Sequence, residues 1–137
     1  GTRQMPGSFF DSNVLVYLAS GGAKAVQAEA VVAQGGTVSV QVLNEVANVA
    51  RRKMRISWAD TRAFLLLLRN LLDVRPVTSE THEVGLLLAE RYKLQVFDAM
   101  IAAAALLADC DTLFSENMHH GMVVNEDLRI TNPFRMR

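Results

Sequence analysis

The chain has 137 residues, a length that fits one domain with a sizeable hydrophobic core. Half of its residues are hydrophobic and a fifth are charged, which is a globular composition and excludes an intrinsically disordered chain. The 14 basic and 14 acidic residues cancel, so any nucleic-acid binding must come from a local patch or from metal ions.

The sequence also indicates where the protein works. No apolar run reaches the roughly 18 uncharged residues of a membrane span, and no basic-then-apolar leader is present, so we expect no membrane partner. Cys110 is the single cysteine, which excludes a disulfide framework and favours a reducing cytoplasm. Gly1 to Gln4 precede Met5 and resemble an expression remnant, so a single domain is expected over 5–137.

The first half of the chain alternates short apolar runs with helical patterns. The glycine pair at 35–36 predicts a helix end followed by a strand. The predicted elements are a strand over 8–10, a helical turn over 13–18, a helix over 23–34, a strand over 37–40 and a helix over roughly 42–54.

The second half continues the alternation. Ser57 and Asp60 have the spacing of a capping box, and Thr78 is a good N-cap. The run "DAMIAAAALLA" from Asp98 is apolar nearly all round, which predicts a buried helix. The remaining predictions are helices over 58–72 and 79–92 and strands over 73–76, 112–115 and 128–132. Strands that alternate with helices predict an α/β fold with a parallel sheet and helices on both faces.

Polar residues follow two of the predicted strands, and a third group lies at a helix start. Asp11 follows the first strand, Ser115 ends the strand "TLFS" with Glu116 and Asn117 directly after it, and Asp98 opens the apolar helix. In parallel sheets, ligands bind beyond the carboxyl ends of the strands. Glu45 lies early in its helix, on one polar stripe with Gln41, Asn48 and Arg52, and therefore near the preceding strand end.

Each acid also has an ordinary structural explanation. Asp11 is a plausible turn former, Asp98 a plain N-cap, Glu45 a residue of a solvated helix face, and Glu116 and Asn117 simple loop residues. These explanations do not say why the acids should meet at one end of one sheet. Clustered carboxylates repel one another and raise each other's pKa, and Mg²⁺ or Mn²⁺ would relieve that repulsion through oxygen ligands.

A basic run and a histidine pair are weaker candidates. Arg51, Arg52 and Lys53 belong to "RRKMR", which either contacts RNA phosphates at the rim of the site or complements a helix dipole. His119–His120 are more typical of a loop than of a metal site. The sequence contains neither a Ser-His-Asp or Cys-His nucleophile arrangement nor a nucleotide-binding glycine motif.

Taken together, these segments resemble the PIN-domain ribonucleases, and closely the VapC-like toxins of VapBC toxin–antitoxin systems. The likeness covers nearly the whole chain, and the order and spacing of the segments carry it. The segments are "FFDSNVLVYL", "SVQVLNEVANVARRK", "VFDAMIAAAALLADCDTLFSEN" with "MHHG", and "ITNPF".

The resemblance implies a three-layer α/β/α sandwich around a short parallel sheet. It also implies an acidic, Mg²⁺- or Mn²⁺-dependent site that cleaves RNA, usually in a homodimer. Asp11, Glu45 and Asp98 match the first three family acids. The fourth falls at Asn117, because the usual Ser/Thr-Glu-Asp reads "SEN" here.

This match predicts a role for each residue. Asp11, Asp98 and Glu45 are expected to ligate one or two metal ions. Glu45 is also expected to orient or deprotonate the attacking water, and Asn13 and Ser115 to hold these groups by hydrogen bonds. The Asn117 amide can ligate but brings no charge, and Glu116 would substitute for the missing acid only in part. Weak activity that depends on metal concentration, with Mn²⁺ more effective than Mg²⁺, is therefore expected.

The resemblance also implies a cognate antitoxin whose helix and tail occupy a groove near "AFLLLLRNLL", a segment expected either in the core or against a dimer partner. Three other interpretations stay open. The first is an impaired nuclease that mainly binds its antitoxin or RNA. The second is a phosphoacceptor receiver domain, although Asp11 has no acidic neighbour and "LRITN" no lysine. The third is a purely structural interaction module.

Overall fold

The computed structural model describes residues 7–135, and the expected remnant at 1–4 and both ends of the 5–137 domain lie outside them. The described residues form six helices and six strands. The strands are β1 (Ser8–Phe10), β2 (Thr37–Ser39), β3 (Asp73–Arg75), β4 (Thr112–Phe114), β5 (Val123–Val124) and β6 (Leu128–Thr131). The helices are α1 (Ser12–Ser20), α2 (Ala23–Val32), α3 (Val40–Arg52), α4 (Trp58–Leu71), α5 (Ser79–Tyr92) and α6 (Val96–Leu107).

The strands form one sheet in the order β3-β2-β1-β4-β6-β5. All neighbouring pairs are parallel except β5 with β6, which is antiparallel. The α/β fold is confirmed: the sheet is the centre of a three-layer α/β/α sandwich. The antiparallel edge strand β5 is an element that the sequence did not predict. Phe10 of β1 pairs with Phe114 of β4, so the residues that follow these two strands are neighbours.

The sheet is packed with apolar side chains that are completely buried, such as Phe9, Val38 and Leu113. Helix α6 is buried along most of its length, as its apolar run predicts. Its small side chains allow close packing against α5, where a Cβ added at Gly85 would lie 2.4 Å from Sδ of Met100. The sheet and α6 therefore form a rigid support for the residues at their ends.

Three helix starts show how the sequence sets element ends. Thr78 caps α5, and its side chain and that of Thr81 form a capping box. Ser57 accepts a hydrogen bond from the Asp60 amide and caps α4. Helix α3 begins at Val40 rather than at 42, because the Ser39 hydroxyl accepts from the Val42 amide and caps the helix there.

The capping prediction for Asp98 was wrong. Helix α6 begins at Val96 with Gln95 as its N-cap, so Asp98 is the third residue of the helix and lies within its first turn. In that position its carboxylate still benefits from the positive end of the helix dipole. The side chain is free for another role.

Helix α4 buries only one stripe of "AFLLLLRNLL". Leu68 is fully buried, whereas Leu66, Leu67 and Leu71 are more than half exposed. The expectation of a core segment therefore holds for only part of this run. No helix within residues 7–135 is both long and apolar enough to cross a membrane.

Candidate active site

Asp11 occupies the carboxyl end of β1 and is 4% exposed. It caps α1: its Oδ1 accepts from the Ser12 amide at 2.7 Å. Its Oδ2 accepts from the Ser115 hydroxyl at 2.7 Å and from Nδ2 of Asn13 at 3.2 Å. Burial nevertheless raises the pKa of Asp11, because these hydrogen bonds offset only part of the lost hydration. Asp11 therefore caps a helix, as its turn-forming interpretation predicts, and this position is compatible with a role in a metal site.

The ends of β1 and β4 are joined by side-chain bonds. Oδ1 of Asn13 accepts from the Glu116 amide at 3.0 Å, and the Asp11 amide donates to the carbonyl of Phe114 at 2.9 Å. Nδ2 of Asn13 also lies 3.4 Å from the Ser115 hydroxyl. The asparagine and the serine thus fix both the carboxylate of Asp11 and the loop after β4.

Glu45 lies in the second turn of α3 and is partly buried. Its Oε2 accepts from Nε2 of Gln41 at 3.3 Å, and the same Nε2 lies 3.2 Å from the carbonyl of Phe97. Gln41 therefore ties Glu45 to the start of α6. Burial raises the pKa of Glu45, and the nearby charges of Asp11 and Asp98 raise it further, although hydrogen bonds from Gln41 and Ser12 oppose this.

Asp98 lies in the first turn of α6. Burial raises its pKa, and repulsion from Asp11 adds to that rise. Asp11, Glu45 and Asp98 all line one cavity of about 400 Å³, together with Asn117 and Lys53. The structure therefore brings the three acids and the asparagine to one place at the carboxyl edge of the sheet.

The donor chemistry of this cavity fits a hard divalent cation. Carboxylate and amide oxygens are the ligands that Mg²⁺ and Mn²⁺ prefer. Burial is the main cause of the raised pKa of each of the three carboxylates, and a bound cation would offset that cost of burial. The described part of the chain contains no group of three or more His, Cys, Asp or Glu already close enough to hold a metal. The three acids could therefore ligate one ion together only after their side chains move closer to one another.

Glu116 has its own partners. Its carboxylate forms an ion pair with Lys24 and accepts from the Tyr17 hydroxyl at 2.8 Å. Burial raises the pKa of Glu116, but the hydrogen bonds from Lys24 and Tyr17 outweigh it, so that the pKa is lowered overall. Glu116 lines the cavity, yet its charge is already compensated by Lys24. Asn117 lines the same cavity, is exposed and adds no charge.

The sequence analysis missed Tyr17 and Lys24, which are 99 and 92 residues away from Glu116. The Lys24 ammonium also lies 5.1 Å from the centroid of the Tyr17 ring. No local pattern in the sequence links positions so far apart.

The side chains of the basic run "RRK" differ in their surroundings: that of Arg51 is held by contacts within the protein, and those of Arg52 and Lys53 are exposed. Nη1 of Arg51 donates to the carbonyl of Ile56 at 2.6 Å, and its guanidinium lies 4.4 Å from the centroid of the Trp58 ring. Arg51 therefore holds the connection between α3 and α4. Arg52 and Lys53 are exposed, and Lys53 lines the acidic cavity.

The histidine pair lies in a turn, as expected for a loop. Nδ1 of His120 accepts from the Asn132 amide at 2.9 Å, and His119 is exposed. Neither residue lines the acidic cavity.

Comparisons with known proteins agree with this architecture. The family model described as PIN domain matches residues 8–120. A comparison with curated proteins returned no match.

Several solved structures share the fold. A toxin–antitoxin complex from Klebsiella pneumoniae aligns with a TM-score of 0.74 at 20% identity, covering 94% of this chain and 99% of that chain. VapBC2 from Rickettsia felis, bound to a promoter DNA fragment, aligns at 0.64 and 18% identity, with 91% and 97% covered. VapC20 from Mycobacterium tuberculosis, a toxin that cleaves the sarcin-ricin loop, aligns at 0.61 and 16% identity, with 77% and 86% covered.

Proposed function

The chain belongs to the PIN domain family, and from this premise we propose that it is an endoribonuclease, the toxin of a toxin–antitoxin pair that hydrolyses RNA phosphodiester bonds in the cytoplasm. The observation that carries this proposal is the cavity at the carboxyl edge of the sheet, which collects Asp11, Glu45 and Asp98. The structural neighbours support it, since one is a toxin–antitoxin complex and another is a toxin that cleaves the sarcin-ricin loop.

In this proposal, Asp11 and Asp98 hold the Mg²⁺ or Mn²⁺ ion, with Asn117 as an uncharged donor. When bound, such an ion lowers the pKa of water and stabilises negative charge on the phosphate. Ser115 and Asn13 keep the carboxylate of Asp11 in a fixed orientation, which is the task of residues that surround metal ligands.

Glu45 is the proposed base that orients and deprotonates the attacking water, or a further oxygen ligand. Its raised pKa suits the first role, because a general base works best when its pKa approaches the working pH. Gln41 donates to Oε2 of Glu45 and so restrains the orientation of the carboxylate. We expect Gln41→Ala to lower activity mainly by loosening this orientation.

Two apolar surfaces are the proposed binding sites for protein partners, one for the antitoxin and one for a second copy of the chain. A groove of about 600 Å³ runs between α4 and the ends of α1 and α2, and fits the apolar face of an antitoxin helix. Its lining includes Leu18, Val32, Phe64, Leu67 and Leu71. A second surface with exposed Val40, Val77 and Phe97 borders Glu45, and we assign it to the homodimer.

A specific observation also favours a second candidate, a catalytically impaired PIN protein that acts by binding its antitoxin or RNA. Asn117 replaces the fourth family acid, and the charge of the adjacent Glu116 is already paired with Lys24. The cavity therefore has one carboxylate fewer for a second metal. If this candidate is correct, the protein binds Mn²⁺ without cleaving RNA.

Cleavage of a panel of structured RNAs, tRNAs included, tests both candidates. The reactions contain Mn²⁺, Mg²⁺ or excess EDTA, and Asp98→Asn serves as the contamination control. Cleavage that requires metal and disappears in Asp98→Asn supports the nuclease. We expect Asn117→Asp to tighten Mn²⁺ binding and to raise turnover. If that substitution changes neither, Asn117 does not contact the metal.

A further inference from the structure

A second pocket lies beside the acidic cavity, on the neighbouring face of α3. It measures about 440 Å³ and is lined by Ala47, Asn48, Arg51, Arg52 and Trp58. Residues 45, 49 and 53 of the same stretch line the acidic cavity. Because successive residues of a helix are rotated by about 100°, these two rows are neighbours along the last turns of α3. The two pockets are thus lined by adjacent rows of one helical stretch.

Trp58 gives this pocket an aromatic wall. It is the only tryptophan in the chain, and 58% of it is exposed although it begins a well-formed helix. The Arg51 guanidinium lies against its ring, and the bond from Arg51 to the carbonyl of Ile56 holds that guanidinium in place. Nε of Arg51 is buried without a hydrogen-bond partner among the described residues, so the guanidinium is held by the bond from Nη1 and by its contact with the indole. The indole is therefore held in place and still accessible.

Exposed cations connect this indole to the acidic cavity. Arg52 lines the Trp58 pocket and Lys53 lines the acidic cavity, one residue further along the chain. Within residues 7–135, ion pairs form between Lys24 and Glu116 and between Arg75 and Asp73, and neither Arg52 nor Lys53 takes part in one. Both cations are therefore available to an anionic ligand that passes from one pocket to the other.

We propose that the Trp58 pocket binds an unpaired nucleotide of the RNA substrate, next to the bond that is cleaved. The base stacks on the Trp58 indole, and Arg52 and Lys53 contact the phosphates that lead to the acidic cavity. The Asn48 side chain can donate to and accept from the edge of the base. This inference rests on the proposed ribonuclease function and adds a selection for unpaired RNA, because a base inside a duplex cannot stack on a protein ring.

The single tryptophan allows a direct test. The protein is titrated in EDTA, so that no cleavage occurs, with a short single-stranded RNA and with the same sequence as a duplex. Binding is followed by fluorescence anisotropy of labelled RNA and, separately, by the emission of Trp58. We expect the single strand to quench the tryptophan emission and the duplex to leave it unchanged. Binding seen by anisotropy without any change in tryptophan emission would overturn the proposal.

Substitutions separate stacking from charge. Trp58→Ala should weaken single-strand binding on the order of 10-fold or more, whereas Trp58→Phe, which keeps a ring, should retain most of the affinity. Leu66→Ala removes an exposed side chain from the same helix and should have no effect. Arg52→Gln should reduce the slope of log K against log salt by about 0.7, the loss of one phosphate contact on a single strand, and Trp58→Ala should leave that slope unchanged.

The outcomes distinguish this inference from the function on which it rests. If wild-type protein cleaves RNA in Mn²⁺ and Trp58→Ala binds and cleaves equally well, the Trp58 pocket does not bind a nucleotide. The proposed nuclease function would still be supported. If the single strand quenches Trp58 but no RNA is cleaved, the pocket stands and the nuclease proposal fails. Where Trp58→Ala does not fold, wild-type quenching and the affinity of Trp58→Phe decide the matter.

Discussion

Ser115→Ala tests whether the buried carboxylate of Asp11 is held as an anion. The Ser115 hydroxyl is completely buried and donates to Oδ2 of Asp11 at 2.7 Å. A hydrogen bond to a charged group contributes about 1.5–3 kcal/mol to stability. For a chain of this length, each kcal/mol changes Tm by roughly 3–5 °C, so we expect Tm near neutral pH to fall by roughly 5–15 °C. Thermal or urea unfolding in EDTA measures the difference without contribution from metal.

The pH dependence of this loss has a definite sign. The pKa of Asp11 is raised in the folded protein, so its contribution to stability is present in full below the ordinary carboxyl pKa and is lost as pH rises through the folded pKa. The Ser115 bond opposes that rise, and its removal moves the folded pKa still higher. The deficit of Ser115→Ala should therefore be small at acid pH and grow as pH rises.

Ser20→Ala is the matched control. The Ser20 hydroxyl is exposed and bonds the carbonyl of Tyr17 at 3.3 Å, so its removal should change stability by less than about 0.5 kcal/mol. An equal deficit of Ser115→Ala at acid and neutral pH would refute the reasoning, because the bond would then not depend on the ionisation of Asp11.

Three further predictions follow from the site and its support. Asp98→Asn should raise Tm of the metal-free protein at neutral pH, because it removes a carboxylate whose raised pKa lowers stability as pH rises. It should also abolish stabilisation by Mn²⁺, and a Tm gain in Mn²⁺ equal to that of the wild type would contradict the metal role. Gly36→Ala should lower stability by more than about 2 kcal/mol in urea unfolding, because the added Cβ would lie 2.6 Å from a backbone carbonyl oxygen of β1, whereas Gly7→Ala meets nothing within 4 Å and should be neutral. Lys24→Gln removes the cation that pairs with Glu116 and should tighten Mn²⁺ binding in calorimetry; unchanged affinity would show that this carboxylate lies outside the metal site.

The sequence predicted the strands that support the site because short apolar runs and nearby polar residues are local patterns in the chain. The strand before Asp11 and the strand before Ser115 are short apolar runs. The first occurs where predicted, and the second ends one residue earlier than predicted, at Phe114. A carboxylate that follows a buried strand must find hydrogen bonds close by, and Asn13 provides one from two residues away. For this reason the neighbourhood of Asp11 could be predicted in some detail from the chain alone.

The residues that the sequence did not predict depend on contacts between distant segments. Lys24 reaches Glu116 only because α2 and the loop after β4 pack together. Trp58 acquires a cation through the connection between α3 and α4, which Arg51 closes. The edge strand β5 has two residues, too few for a periodic pattern to be recognised.

The charge balance at the cavity links the unusual Asn117 to the rest of the site. Three carboxylates with raised pKa values line the cavity, and Lys53 is a cation of the same lining. A fourth carboxylate at position 117 would add to their repulsion in the metal-free protein, and Asn117 avoids this. The same substitution weakens the attraction for a second cation, and Glu116 cannot restore it while Lys24 neutralises its charge. We therefore expect Asn117 to make the metal-free protein more stable and its metal binding weaker. Asn117→Asp should lower Tm in EDTA and give a larger Tm gain in Mn²⁺ than the wild type shows.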